Sequence, residues 1–320
     1  MSDVTVIGAG AWGTALAIQA ARAGARVRLW ARDPARAAEI TAQRESPRLP
    51  GARLTDQVTV IHDLSQVTGI ALVAVPMQHQ RSVLARLLPG TGPLVICAKG
   101  IETGTRLLPL EVVEAVRPGA QAAVLTGPNF AHEIAAGLPA AAVVAAGQAA
   151  LRDRVIGALS TSTFRLYGND DPIGAQVGGA AKNVIAIAAG TVIGAGLGEN
   201  ARAALITRGL AELARLAVAL GGRAETVMGL SGLGDLLLTC TGPASRNYSL
   251  GFALGQGEKL ADVLAARSAV TEGVATAPAL VARAAGVDVP ICTAVAALLE
   301  GRTTLREATA NLLSRPLRDE

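Results

Sequence analysis

A chain of 320 residues, 51% hydrophobic and 17% charged, has the length for two domains with sizeable cores and is excluded from the disordered class. Aromatic residues make up only 2%, and a formal net charge of +4 is spread without a basic block, which argues against a nucleic-acid partner. Of 29 basic residues only Lys99, Lys182 and Lys259 are lysine, so each marks a place where a proton could be released as arginine cannot release one.

In chain order, Val4–Ile7 predicts a short buried strand that runs into Gly8-Ala9-Gly10-Ala11-Trp12-Gly13 and then into a helix over Thr14–Ala23. This is G-x-G-x-x-G in its strand-to-helix setting, the fingerprint of a dinucleotide site. Gly8 permits the turn, Gly10 the approach of a pyrophosphate, and Gly13 the packing of helix on strand. A second strand, Ala25–Trp30, leads to Ala31-Arg32-Asp33-Pro34. Asp33 reads as the N-cap of the next helix because Pro34 follows at its first position, which leaves Arg32 to face the adenine ribose and favour NADP over NAD.

Further buried strands are predicted over Ile70–Val75, Leu94–Ala98 and Ala122–Thr126. The second ends at Lys99-Gly100, where a sheet of this kind borders its ligand, and the third leads into the turn Gly127-Pro128-Asn129. From Gly178 onward, Ala/Leu/Val-rich segments with helical spacing predict a second, all-helical domain, including 203–220, 261–266 and 276–285. The division is expected as 1–178 for the dinucleotide-binding domain and 179–320 for a helical substrate-binding domain.

Lys182 follows Gly178-Gly179-Ala180-Ala181, so its ammonium is expected to be largely desolvated, whereas Lys259 lies in a polar turn and is assigned to solvent. Gly232-Leu233-Gly234 delivers Asp235 to the start of an apolar run, and Ser245-Arg246-Asn247 follows a Gly-Pro turn. A hydroxyl, a guanidinium and an amide in succession can converge on one anion at a helix start.

Cys97, Cys240 and Cys292 lie in or beside apolar sequence, as reduced core thiols do, and His62, His79 and His132 share no ligand spacing, so no metal is expected. The apolar stretch 184–198 falls short of the roughly 20 residues of a spanning helix, and the first strand leaves no room for a signal peptide. A cytoplasmic protein without stable membrane insertion is expected.

These motifs, with Ala98-Lys99-Gly100, Phe130-Ala131, Lys182-Asn183, Thr207-Arg208-Gly209 and Glu272-Gly273, resemble in order and over nearly the whole chain the bacterial NAD(P)-dependent glycerol-3-phosphate dehydrogenases. The resemblance implies an α/β, Rossmann-type doubly wound amino-terminal domain, and an enzyme interconverting sn-glycerol 3-phosphate and dihydroxyacetone phosphate for phospholipid synthesis. It implies Lys182 as general base, its pKa lowered by burial and by the nearby cation Lys99. Lys99, Gly127, Asn129, Asp235, Ser245, Arg246 and Asn247 are implied as substrate contacts. Gly8, Gly10, Ala11, Trp12, Gly13, Arg32, Arg48, Lys99, Ala131, Arg246, Val270 and Glu272 are implied as cofactor positions. Ala11 stands where relatives often carry serine, and Asn129 where many carry serine or threonine, so each place lacks a hydroxyl while backbone contacts there are expected to survive. The oligomeric state is left open, with a homodimer among the options. Two other readings remain at this stage: a reductase of an unphosphorylated hydroxy acid, and a non-catalytic NADP-binding sensor.

Overall fold

The computed structural model describes residues 2–267 and 270–316, which divide into two compact units. The first comprises Met1–Lys99 and Leu107–Gln176, the second Gly100–Arg106 and Val177–Glu320.

The first unit holds β1 (Asp3–Ile7), α1 (Ala11–Arg22), β2 (Arg26–Trp30), α2 (Pro34–Gln43), β3 (Val58–Ile61), β4 (Ile70–Val73), α3 (Met77–Leu84), β5 (Leu94–Ile96), α4 (Pro109–Val116), β6 (Ala122–Thr126), α5 (Ala131–Ala136), β7 (Ala140–Ala145), α6 (Ala149–Leu159) and β8 (Phe164–Asn169). Its eight strands form one sheet in the order β3-β2-β1-β4-β5-β6-β7-β8. The first six are parallel, and β7 with β8 runs antiparallel to them. The chain winds outward from β1 in one direction through β3 and in the other from β4 onward, so the switch point lies between β1 and β4. This is the Rossmann arrangement, in which ligands bind beyond the carboxyl ends of the strands. Val4, Val6, Leu29 and Leu72 pack into one core cluster, and Ile7, Val73 and Ile96 into another.

The five strands expected from sequence are present, β4 and β5 ending two residues earlier than expected. Three more, β3, β7 and β8, join the sheet without having been read. Asp33 is the N-cap of α2, its Oδ1 accepting from Ala35 N at 3.0 Å, with Pro34 at the first position.

The second unit is helical: α7 (Pro172–Gly194, beginning in the first unit), α8 (Glu199–Ala219), α9 (Ala224–Val227), α10 (Asp235–Cys240), α11 (Arg246–Gly255), α12 (Leu260–Ala265), α13 (Glu272–Arg283), α14 (Pro290–Leu299) and α15 (Leu305–Leu313). At 23 residues, α7 is long and apolar enough to span a membrane by length and composition, since it begins at Pro172 rather than where the glycines had suggested. However, 83% of its apolar stretch is buried within the protein, as in a core helix.

Small residues let α7 meet α11 at backbone distance. A Cβ on Gly190 would fall 2.0 Å from the Tyr248 carbonyl oxygen, and one on Gly251 would fall 1.9 Å from that of Ile187. The glycines of each helix thus admit the backbone of the other, and α7 is held where Lys182 and Asn183 are buried.

The arginine bias has a structural counterpart. Arg117 donates to the carbonyls of Leu84, Leu87 and Leu88, and Arg22 to those of Ile134 and Ala135. A planar fork of donors serves several carbonyls at once, which an ammonium does less well.

Candidate active site

In the first unit the nucleotide region is built on the turn after β1. Gly8 has φ +119, and a Cβ there would lie 3.0 Å from the Ala74 carbonyl oxygen. Gly13 packs so closely that its Cβ would stand 1.8 Å from the Gly8 carbonyl oxygen. Gly10 differs, because a Cβ there would meet nothing within 4 Å. It is also the N-cap of α1 and supplies no side-chain cap, so the first-turn N–H groups of Ala11, Trp12 and Gly13 remain available to an anion. Open space above a helix start that lacks a protein cap fits the pyrophosphate of a dinucleotide.

Arg32 is exposed just beyond β2. Arg48 is exposed on the loop after α2, where its N–H donates to Ser46 Oγ at 3.3 Å. The same Ser46 hydroxyl donates to the Ala9 carbonyl at 3.3 Å, so this buried serine, which no motif had marked, ties the Arg48 loop to the glycine turn.

Lys99 follows β5, and its Nζ donates to the Gly127 carbonyl at 2.9 Å. Gly127 has φ +147, and a Cβ there would lie 2.9 Å from Ala142 Cα on the antiparallel strand β7. Asn129 Nδ2 reaches the Ala141 carbonyl at 3.4 Å, while its Oδ1 is buried without a hydrogen-bond partner, a vacant acceptor of the kind a ligand donor satisfies. Ala131 is the first residue of α5. Cys97, just before this group, is buried, and burial pushes its thiol up to about 12, as expected of a reduced core thiol.

In the second unit Lys182 is 7% exposed on α7. Its ammonium is ion-paired with Asp235 Oδ1 and donates to Thr239 Oγ1 at 2.9 Å. Thr239 in turn donates to the Asp235 main-chain carbonyl at 2.6 Å, one turn back on α10. Asp235 is therefore not the cap of its own helix, which is Gly234, but the countercharge of the buried lysine. A π-helical turn, Leu230–Gly234, leads directly into α10 and brings Asp235 to this position. A Cβ on Gly232 would lie 1.9 Å from the Val227 carbonyl oxygen, and one on Gly178 2.6 Å from that of Ser231, so only glycines allow the approach. Thr239 was missed in sequence, although its spacing of four from Asp235 on a helix was a usable signal.

Asn183, the neighbour of Lys182, accepts at Oδ1 from Asn247 Nδ2 at 2.9 Å, and Asn247 Oδ1 accepts from Gly273 N at 3.0 Å. Ser245 caps α11 by accepting from Tyr248 N at 3.2 Å. Arg246, exposed, donates to the Val270 carbonyl at 2.7 Å. Of the three successive side chains, Ser245 caps α11, Asn247 hydrogen-bonds inward between α7 and α13, and Arg246 is exposed. The fold does gather Arg246, Val270 and Glu272 at the start of α13. Lys259 is exposed just before α12, as expected.

An eight-stranded Rossmann unit whose glycine turn opens at a helix start, followed by a helical unit with a buried lysine ion pair, fits the class of nicotinamide-nucleotide-dependent dehydrogenases. Residues 3–151 match the family model for the N-terminus of NAD-dependent glycerol-3-phosphate dehydrogenase, and residues 171–310 match that for its C-terminus. The chain belongs to this family. The NAD(P)+ glycerol-3-phosphate dehydrogenase of Acidiphilium cryptum is 58% identical over 320 residues, 99% of this chain and 98% of that protein. That of Gluconobacter oxydans is 52% identical over 98% of this chain and 97% of the relative. The crystal structure of glycerol-3-phosphate dehydrogenase from Coxiella burnetii superposes with a TM-score of 0.93 at 36% identity, covering 98% of this chain and 99% of that one.

Proposed function

We propose that this chain is a cytoplasmic enzyme that interconverts sn-glycerol 3-phosphate and dihydroxyacetone phosphate with NADP preferred over NAD, and supplies glycerol 3-phosphate for phospholipid synthesis. The observation that carries the reading is the buried Lys182 ammonium with its Asp235 carboxylate and Thr239 hydroxyl. When bound, the nicotinamide ring supplies the hydride donor for reduction of C2 and the hydride acceptor for its oxidation.

Lys182 handles the proton. In reduction its ammonium polarises the C2 carbonyl and then protonates the alkoxide oxygen; in oxidation the neutral amine takes the C2 hydroxyl proton as the C2–H bond breaks. Asp235 stabilises the ammonium by opposite charge at close range, and Thr239 fixes its direction. Lys99, Gly127 and Asn129 are assigned to substrate, and Lys99 also to cofactor. Asp235, Ser245, Arg246, Asn247 and the first turn of α11 complete the substrate site, with the phosphate at Arg246 and the helix start. Arg246, Val270 and Glu272 are assigned to the cofactor, along with Gly8, Gly10, Ala11, Trp12, Gly13, Arg32, Arg48 and Ala131.

The test is absorbance at 340 nm with NADPH and dihydroxyacetone phosphate. The wild-type chain should oxidise NADPH, and Lys182→Arg should keep NADPH affinity while losing most turnover, because guanidinium does not deprotonate. Near-normal turnover in that variant removes Lys182 from the proton-transfer role, and NADPH binding without turnover in the wild type rejects the enzyme reading.

A further inference from the structure

Arg267 lies half-buried in the turn after α12 and belongs to no motif read from the sequence. Its Nη1 donates to the Arg246 main-chain carbonyl at 2.8 Å and its Nη2 to Ser249 Oγ at 3.1 Å, so one guanidinium grips the first turn of α11 at two points. Arg246 sends its own Nη1 to the Val270 carbonyl at 2.7 Å.

All three acceptors are neutral. Among the described residues no carboxylate lies within ion-pair range of either guanidinium. Burial holds Arg267 below the ordinary arginine range; the charge of Glu258 opposes this, and the smaller effect of the Arg246 charge adds to it. Two like charges are therefore held near each other by hydrogen bonds to uncharged oxygens, and Glu258 offsets them without forming an ion pair with either. The hydrogen bonds hold the turn, and a bound dianion would offset both the repulsion and the desolvation of the two guanidiniums.

We infer that Arg267 is a positioning residue for the phosphate of the substrate: it fixes the start of α11, sets the direction of Arg246, and adds a second positive charge to the same anion site. The inference rests on the reading of Ser245-Arg246-Asn247 as the phosphate-binding turn. Arginine suits the position because its fork spans the Arg246 carbonyl and Ser249 together, while a lysine would retain the charge and satisfy one acceptor at a time.

The experiment compares wild type, Arg267→Gln and Arg267→Lys in steady-state reduction of dihydroxyacetone phosphate, with inorganic phosphate as competing anion. Arg267→Gln should raise the KM for dihydroxyacetone phosphate and the Ki of inorganic phosphate by about ten-fold, the scale of one lost charge-assisted contact. Its kcat, its KM for NADPH and its Tm should stay near wild type, and Arg267→Lys should recover part of the loss. An unchanged KM and Ki in Arg267→Gln overturns the inference. So does a loss spread equally over kcat, KM for NADPH and Tm, which marks a merely structural residue, or a loss confined to NADPH, which moves the anion to the nucleotide. If the wild type does not reduce dihydroxyacetone phosphate, calorimetric titration with inorganic phosphate still decides: about ten-fold weaker binding in Arg267→Gln upholds the anion site, and equal binding rejects it.

Discussion

Lys182 and Asp235, 53 residues apart in the sequence, form a buried ion pair whose geometry Thr239 completes. The lysine is thereby neither isolated among apolar neighbours nor solvated, and the carboxylate is as buried as the ammonium it faces.

Removing the carboxylate should be costly to folding as well as to activity. Asp235→Ala leaves a buried ammonium without its countercharge, and should lose about 3–5 kcal/mol of stability in denaturant titration. The double variant Lys182→Met/Asp235→Leu, which removes both charges, should recover much of that loss while remaining inactive. A cost for Asp235→Ala of less than about 1 kcal/mol would mean that water reaches the pair.

The glycine turn separates folding from binding at two neighbouring positions. Gly10→Ala adds a methyl group where nothing lies within 4 Å, at an ordinary φ of −75°, so its Tm should stay near wild type. Its affinity for NADPH should fall by at least about ten-fold, because the methyl group occupies the pyrophosphate seat. Gly13→Ala drives a Cβ to 1.8 Å from the Gly8 carbonyl and should unfold the turn or lower the Tm sharply. Equal Tm losses for the two variants would show that Gly10 is packed rather than open.

Arg32 carries the proposed preference for NADP. It is exposed beyond β2, and no hydrogen bond to another described residue restrains it, so Arg32→Ala should leave stability within about 0.5 kcal/mol of wild type. The ratio of kcat/KM for NADPH to that for NADH should fall by about ten-fold or more, through loss of a charged contact to the 2′-phosphate. An unchanged ratio in parallel kinetics with both cofactors would remove Arg32 from that role.

Glu212 makes stability depend on pH. Its carboxylate, 1% exposed on α8, accepts from Ile291 N at 2.6 Å and Cys292 N at 3.1 Å, capping α14 from another helix. Burial nevertheless raises its pKa above the ordinary 4.5, outweighing both hydrogen bonds. The group therefore contributes its full stabilisation below about pH 4.5, and that contribution is lost as pH rises through the raised folded-state value. Glu212→Gln should flatten this part of the stability curve, measured by urea unfolding from pH 4.5 upward. A curve of unchanged slope would assign the dependence to other groups.

Some elements could be read locally because a local rule fixed them. The turn at Gly8–Gly13 depends on backbone conformation and close approach within six residues, and Asp33-Pro34 is a complete capping signal. The strand β7 could not be read, since Ala140-Ala141-Ala142-Val143-Val144-Ala145 is as apolar and helix-compatible as the true helices. Its pairing with β6 against the parallel run arises from tertiary contacts alone. Ser46, Thr239 and Arg267 were missed for a related reason: each is an ordinary polar residue in sequence, and acquires its role only from the atom the fold sets against it.

The sequence by itself determined the dinucleotide turn, the family, and the nomination of Lys99 and Lys182 against Lys259, because glycine and lysine each have properties that no substitute shares. Tertiary structure alone decided that the Lys182 countercharge is Asp235, that Asn247 turns inward to Asn183, and that Arg246 and Arg267 are held side by side. The physical reason is range. Backbone conformation and capping act over a few residues, whereas desolvation and charge pairing depend on which distant segments the packed glycines of α7, α11 and the turn before α10 allow to touch.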